Sequence, residues 1–152
     1  MFFYGNLVGF CSPVEVSFPP DHLVDDWNIT MNIIICGAGK TGAHAAEILS
    51  AEGADVTVID ECQASLESLA DSLDVAILSG HPSASKVLQA AGAADADVVI
   101  AVTDDDEVNL LCASTASYMG ADRTFATVTH SMYLDREPLD YSKIFSIDSL
   151  IC

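Results

Sequence analysis

Basic residues are scarce in this sequence. Of its 152 residues only five are Lys or Arg, against 23 Asp and Glu, so the formal net charge at pH 7 is −18. A surface of that sign repels nucleic-acid phosphates and anionic lipid headgroups, which argues against binding to either. No apolar run reaches the roughly 18 residues that a membrane-spanning helix needs, so we expect no direct membrane insertion.

Clustered cysteines and familiar catalytic motifs are also lacking. The five cysteines are scattered without a CxxC pair or a Cys/His cluster, which favours a reducing cytosol over a disulfide framework or a zinc site. There is no GxSxG or HExxH, and His22, His44 and His130 have no carboxylate or nucleophile partner visible in sequence. We therefore predict no catalytic residues, no bound metal and no enzyme activity.

Apolar residues make up 51% of the chain, enough to bury the core of one ordinary domain. Residues 1–30 differ from the rest, because they contain three prolines, no Lys or Arg and no sustained helix or strand period. We predict that they form a poorly ordered N-terminal extension, with a packed strand over residues 2–8 as the alternative. The domain proper is predicted to span residues 31–152.

From Met31 onward, short apolar runs alternate with stretches of helical periodicity. Helices are predicted over 40–51, around the apolar stripe at 66–73, over 83–91 and up to about 119. Six strands are predicted, at 33–36, 56–59, 75–78, 98–102, 125–128 and 144–147. Repeated strand–helix units with short connections predict the α/β class, as a single three-layer domain around a Rossmann-like, doubly wound parallel sheet.

The clearest motif is a glycine-rich turn between the first predicted strand and the first predicted helix. The segment Gly37–Gly42 reads GAGKTG and fits the GxGxxG pattern. Gly37 permits a tight turn, Gly39 lets the backbone approach a pyrophosphate, and Gly42 allows close helix packing. Amides at the helix start would bind phosphates, and Lys40 could face them or simply be solvated. The alternative is a glycine turn without a ligand.

An acidic residue stands where a dinucleotide site needs one. Asp60 ends the second predicted strand, 18 residues after Gly42. A carboxylate there accepts hydrogen bonds from adenosine ribose hydroxyls and repels a 2′-phosphate. No Lys or Arg lies between residues 44 and 85, so NADP is not expected. The alternative is an ordinary turn residue at a strand end.

Two further loops are predicted at the same sheet edge. After the third strand, Gly80 would let backbone approach an adenine, and His81 would line that pocket or be an exposed loop residue. After the fourth strand comes the acidic run 103–107, in which Asp104 and Glu107 resemble a helix capping box. The alternative to capping is that this run binds a magnesium ion jointly with a nucleotide phosphate. The spacing of its residues does not fit a calcium loop.

Five stretches of the chain together resemble a known family. They occur in the family's order and spacing: MNIIICGAGKTG (31–42), VTVID (56–60), SGHPS (79–83), LQAAGAADADVVIAVTDDDEVN (88–109) and IDSLI (147–151). The family is the N-terminal domain of Trk potassium-uptake regulators (TrkA-N), also called the RCK or KTN domain. The family continues beyond the last stretch into a second, smaller ligand-binding domain, so we expect a fragment or a short member.

The resemblance implies a cytoplasmic regulatory subunit that binds NAD or NADH, or in close relatives ADP or ATP. It implies a membrane potassium transporter as partner, a homo-oligomer (dimer or larger), and a peripheral position on the inner face of the cell membrane. The cofactor-binding residues that it implies are Gly37, Ala38, Gly39, Lys40 and Thr41 at the phosphates, Asp60 at the ribose, and Thr103 and Asp104 on the far side. Gly42, from the glycine motif, and Gly80 and His81, from the loop after the third strand, complete the predicted cofactor-binding residues.

One departure from the family affects ligand identity. The family usually carries an arginine facing the nucleotide on the fifth strand, where this chain has Thr127. Lys40 could partly compensate for that missing cation. Two other functions stay open: a cofactor-binding fragment of an NAD-dependent oxidoreductase, and a dimerising scaffold that has lost its ligand, for which the missing arginine is the best argument.

Overall fold

Six parallel strands form the centre of the protein in this computed structural model, which describes residues 30–152. They are β1 (Asn32–Cys36), β2 (Asp55–Asp60), β3 (Ala76–Ser79), β4 (Val98–Ala101), β5 (Arg123–Thr127) and β6 (Ser149–Ile151). Five helices connect them: α1 (Lys40–Ala51), α2 (Gln63–Ser72), α3 (Ser85–Ala90), α4 (Asp106–Met119) and α5 (Tyr141–Ile144). The predicted α/β class and the Rossmann-like sheet are confirmed.

The strand order is β3-β2-β1-β4-β5-β6, and every neighbouring pair is parallel. The order runs one way from β1 to β3 and the other way from β4 to β6, so it reverses between β1 and β4. Open α/β sheets bind ligands outside the carboxyl ends of their strands at such a reversal. The topology therefore places the candidate site beside the ends of β1 and β4.

Each face of the sheet buries its own apolar core. On one face, α1 and α2 pack Ala46, Leu66 and Leu69 against alternate residues of β1 and β2. On the other face, α3 and α4 pack Leu88 and Leu110 against the remaining strand residues, together with smaller side chains of α4. Burial on both faces explains why the strands read as continuous Val and Ile runs rather than as alternating patterns.

The predicted sixth strand at 144–147 is wrong. Residues 141–144 form α5, and the strand itself is Ser149–Ile151. Its register is fixed by Asp148, whose carboxylate accepts the backbone N–H of Thr124 at 2.7 Å and sets Ser149 opposite Phe125. The other predicted elements exist; α1 has the predicted ends, and the ends of the others differ by at most three residues.

The predictions for residues 1–29 lie outside the described residues, among them the poorly ordered extension and the alternative strand at 2–8. Thr30 and Met31 are exposed and precede β1. Between residues 30 and 152, no helix is both long enough and apolar enough to span a bilayer.

Candidate functional site

The glycine turn between β1 and α1 is packed too tightly for side chains at two of its positions. Gly37 has φ +119°, and a Cβ there would lie 2.7 Å from the carbonyl oxygen of Val102. A Cβ on Gly42 would lie 1.9 Å from the carbonyl oxygen of Gly37. The predicted roles of the first and third motif glycines, a tight turn and close helix packing, therefore match the geometry of the turn.

Gly39 has the opposite environment. It is exposed at the N-cap of α1, with an extended conformation (φ −66°, ψ −177°), and a Cβ placed on it would meet nothing within 4 Å. The first amides of α1, beginning at Lys40 and Thr41, have no acceptor within the helix. Open space above a glycine at a helix N-terminus matches the approach that a phosphate group needs.

Asp60 ends β2 as predicted, and its carboxylate has two backbone partners. Its Oδ2 accepts the N–H of Ala38 at 2.6 Å, and its Oδ1 accepts the N–H of Cys62 at 2.7 Å. Each carboxylate oxygen has a further lone pair, so a ribose hydroxyl can still donate to it. Asp60 also holds the glycine turn to the start of α2, which the sequence did not predict.

A cleft of about 300 Å³ opens beside Asp60 at the carboxyl edge of the sheet. Its lining includes Asp60, Glu61, His81, Thr103 and Asp105. The structure thus brings together residues that follow β2, β3 and β4. Gly80 and Asp104 adjoin His81 and Thr103 in sequence but are not among the lining residues.

A second, more open space of about 420 Å³ lies between α1 and α2. Ala38, Gly39 and Lys40 line it together with residues of α2. Within residues 30–152, Lys40 is the one Lys or Arg that lines either space. These two spaces at the carboxyl edge are therefore acidic around Asp60 and basic only at the start of α1.

His81 is oriented by its own loop. Its Nδ1 accepts the backbone N–H of Ser83 at 3.3 Å and lies 2.9 Å from the hydroxyl of the same residue. A backbone N–H can only donate, so the neutral imidazole must carry its proton on Nε2. Nε2 is consequently the ring nitrogen that His81, which lines the cleft, has left to donate.

The start of α4 is capped differently from the prediction. Asp105, not Asp104, is the N-cap, and its Oδ1 accepts the N–H of Val108 at 2.9 Å. Glu107 does not close a capping box, because its Oε1 accepts the hydroxyl of Tyr133 instead. That hydrogen bond, together with burial, raises the pKa of Tyr133 to about 12.

Asp106 has a tertiary role that the sequence concealed. It is 5% exposed, and its carboxylate accepts the backbone N–H groups of Thr129 at 2.8 Å and His130 at 2.9 Å. The Nδ1 of His130 lies 2.7 Å from Asp106 Oδ2, so this histidine does have a carboxylate partner. Burial raises the pKa of Asp106, but these hydrogen bonds and the nearby His130 outweigh it and lower that pKa to about 2.

Asn109 joins the ends of two strands and was not predicted as a site residue. It is 1% exposed, and its carboxamide bonds to Thr103 after β4 and to Thr127 at the end of β5. Only its place in the resembling stretch 88–109 could have singled it out. Within residues 30–152, no group of three or more His, Cys, Asp or Glu side chains is placed to hold a metal ion.

Known proteins resemble this chain over most of its length. The family model for the TrkA-N domain matches residues 33–147. The chain is 38% identical over 123 residues to the Trk system potassium uptake protein TrkA of Haemophilus influenzae, and 40% identical over 122 residues to that of Halomonas elongata. Each match covers 80% of this chain but 27% of the relative, so the chain spans about a quarter of their length.

Solved structures share the fold at low sequence identity. The TrkA-N domain of the inner membrane protein ybaL from Escherichia coli has a TM-score of 0.69 at 16% identity, covering 82% of this chain and 88% of that one. The GsuK channel bound to NAD has a TM-score of 0.67 at 14% identity, covering 82% of this chain and 22% of that one. These likenesses support the Rossmann-like fold.

Proposed function

The chain belongs to the TrkA-N domain family, and from that premise we propose that it is a regulatory module that binds NAD(H) or another adenine nucleotide. The observation that carries the proposal is the open space at Gly39. It lies at the N-terminus of α1, beside the reversal of strand order, in a turn whose other two motif glycines are sterically required. An unfilled approach to helix amides suits a phosphate group.

The residues around that opening fit the parts of an adenine nucleotide. The amides of Gly39, Lys40 and Thr41 would hold phosphates, assisted by the Lys40 ammonium group. Ala38 would support the turn and not the phosphates directly, because its N–H is donated to Asp60. Asp60 would accept the adenosine ribose hydroxyls.

The rest of the cleft would receive the base. The Nε2–H of His81 would donate to an adenine nitrogen, with Gly80 beside it, and Thr103 with Asp104 would bound the far side. We propose NAD or NADH as the ligand, with ADP or ATP as the alternative. Similar solved structures support both ligands, since GsuK is bound to NAD in one and to ADP in another.

We further propose a regulatory and non-enzymatic role in a potassium-uptake system, at the cytoplasmic face of the membrane. The names of the curated relatives support this role. The partner would be a membrane potassium transporter. If the purified protein steadily oxidised NADH in the presence of carbonyl compounds, the alternative, a fragment of an NAD-dependent oxidoreductase, would replace this proposal.

The decisive experiment is calorimetric titration with NADH, NADPH, ADP and ATP, on the parent chain and on Asp60→Asn. We expect NADH to bind and NADPH to bind at least tenfold more weakly, because the carboxylate repels a 2′-phosphate. Asp60→Asn should weaken NADH about tenfold or more, since a hydrogen bond to a charged acceptor contributes about 1.5–3 kcal/mol.

Glu61→Gln is the matched control for Asp60→Asn. Glu61 lines the same cleft and is exposed, so its neutralisation changes local charge without removing the Asp60 contacts. We expect its NADH affinity to stay within about threefold of the parent. If none of the four nucleotides gave a heat of binding with the folded parent chain, the binding proposal would be refuted.

We also predict a dimer or larger homo-oligomer whose geometry depends on the bound nucleotide. Ile144 and Ile151, at the β6 side, are 53% and 45% exposed and would be covered by a second copy. High salt should favour association, because it screens the like charges of a chain with net charge −18. Light scattering and small-angle X-ray scattering, with and without nucleotide at two salt concentrations, would test this. A monomer under every condition contradicts it.

A further inference from the structure

Asn109 uses both ends of its carboxamide inside the protein. Its Oδ1 lies 2.8 Å from the backbone nitrogen of Thr103 and 2.7 Å from the hydroxyl of the same residue, and accepts from both. Its Nδ2 donates to the carbonyl oxygens of Thr103 and Thr127, each at 3.0 Å. With 1% of its surface exposed, Asn109 does not itself line the cleft.

Thr103 is the residue that these bonds hold in place. It lies beyond the end of β4, in an irregular segment, and it lines the same cleft as Asp60. Its N–H and its carbonyl group, which a longer strand would pair with a neighbouring strand, are both paired with Asn109. Both peptide groups that flank the Thr103 Cα are therefore held by one side chain of α4, while the Thr103 hydroxyl also contacts the backbone of Asp105.

Thr127 extends the same connection to the neighbouring strand. Its carbonyl oxygen accepts from Asn109, while its hydroxyl donates to the carbonyl oxygen of Ala101 at 3.3 Å and lies 3.2 Å from Asn109 Nδ2. The carboxamide thus ties the wall after β4 to the last residue of β5. A displacement of one strand end would break bonds to the other.

We propose that Asn109 is a positioning residue for the nucleotide site, fixing the Thr103 wall of the cleft relative to the end of β5. The proposal rests on the proposed nucleotide binding. A purely structural asparagine would affect stability alone, whereas a positioning residue sets ligand affinity as well. The two roles are separated by comparing affinity among variants of similar stability.

Asn109→Asp is the primary variant. The carboxylate keeps both acceptor contacts to Thr103 but cannot donate to the carbonyl oxygens of Thr103 and Thr127. We expect NADH or ADP affinity to fall about tenfold in calorimetry, at a temperature where the variant is folded by circular dichroism. Should Asn109→Asp fail to fold, Thr127→Val removes only the hydroxyl contacts and should weaken the same ligand about threefold.

Thr124→Val is the matched control, because it lies at the other end of β5, far from the cleft. Thr124 is fully buried, and its hydroxyl lies 3.2 Å from the Asp148 carboxylate. We expect a lower melting temperature with parent-like affinity. Folded Asn109→Asp or Thr127→Val with parent-like affinity would overturn the positioning role, as would an equal affinity loss in Thr124→Val. A parent chain that binds no nucleotide would instead overturn the proposed function, and this role with it.

Discussion

Gly42→Ala should melt far below the parent chain, or fail to fold. The added Cβ would stand 1.9 Å from the carbonyl oxygen of Gly37 and 2.9 Å from its carbon, distances that no rotamer can relieve because both partners are backbone. Moving α1 away would open the core where Ala46 packs against β1 and β2. We expect a loss of about 3 kcal/mol or more in the free energy of unfolding, a large share of the stability of a domain this size.

Gly39→Ala is the control that separates packing from ligand binding. Its added Cβ meets no atom within 4 Å, and its φ of −66° suits an alanine, so its melting temperature should match that of the parent. The same methyl group would occupy the space proposed for a phosphate and should weaken NADH about tenfold or more. Thermal denaturation and calorimetry measure both effects. If the Gly42→Ala chain melted within about 3 °C of the parent, its loss in the free energy of unfolding would be about 1 kcal/mol or less. That result would contradict the packing argument.

The glycine turn between β1 and α1 could be predicted because its constraints are local. Gly37 and Gly42 contact each other although they are only five positions apart in sequence. The strand and helix on either side have clear apolar patterns. Asp60 could be placed for the same reason, since it ends an apolar strand. The doubly wound order followed from alternation of strands and helices, which leaves few ways to bury both sheet faces.

The sixth strand could not be placed correctly, because its position depends on a distant contact. Residues 144–147 are more apolar than the actual strand at 149–151, so local pattern favoured the wrong segment. The register is set instead by Asp148, which accepts the N–H of Thr124 across 24 residues. A polar residue that fixes a strand in this way has no signature in apolar periodicity.

The tertiary contacts of Asp106 and Asn109 could not be predicted for a similar reason. Asp106 falls in the acidic run 103–107 at a helix start, where capping explains such residues well, and Asn109 lies just beyond that run. Their actual partners lie after β4 and at or after the end of β5, and they meet only because those strands are neighbours in the sheet. Sequence spacing could indicate the helix start but not which side chains leave it for tertiary contacts.

Asp106→Asn should lower stability at neutral pH and remove part of its pH dependence. In the parent, the pKa of Asp106 is raised by burial and lowered further by the donors of Thr129 and His130, to about 2 against an ordinary value of 3.8. A carboxyl whose pKa is depressed by folding stabilises the protein while ionised. The difference corresponds to about 2 kcal/mol, present above pH 4 and lost as the pH falls from about 4 to 2.

Urea denaturation between pH 2 and pH 7 tests this, with Asp104→Asn as control. Other carboxylates titrate in the same range, but subtracting the variant from the parent cancels their contribution and leaves that of Asp106. The difference should be about 2 kcal/mol at pH 7 and shrink toward zero near pH 2. Asp104 is an exposed neighbour in the same acidic run, so its variant should stay within about 0.5 kcal/mol of the parent at pH 7. A parent–variant difference that stays constant with pH would mean that Asp106 acts through packing rather than charge, and that the segment after β5 is held by shape alone.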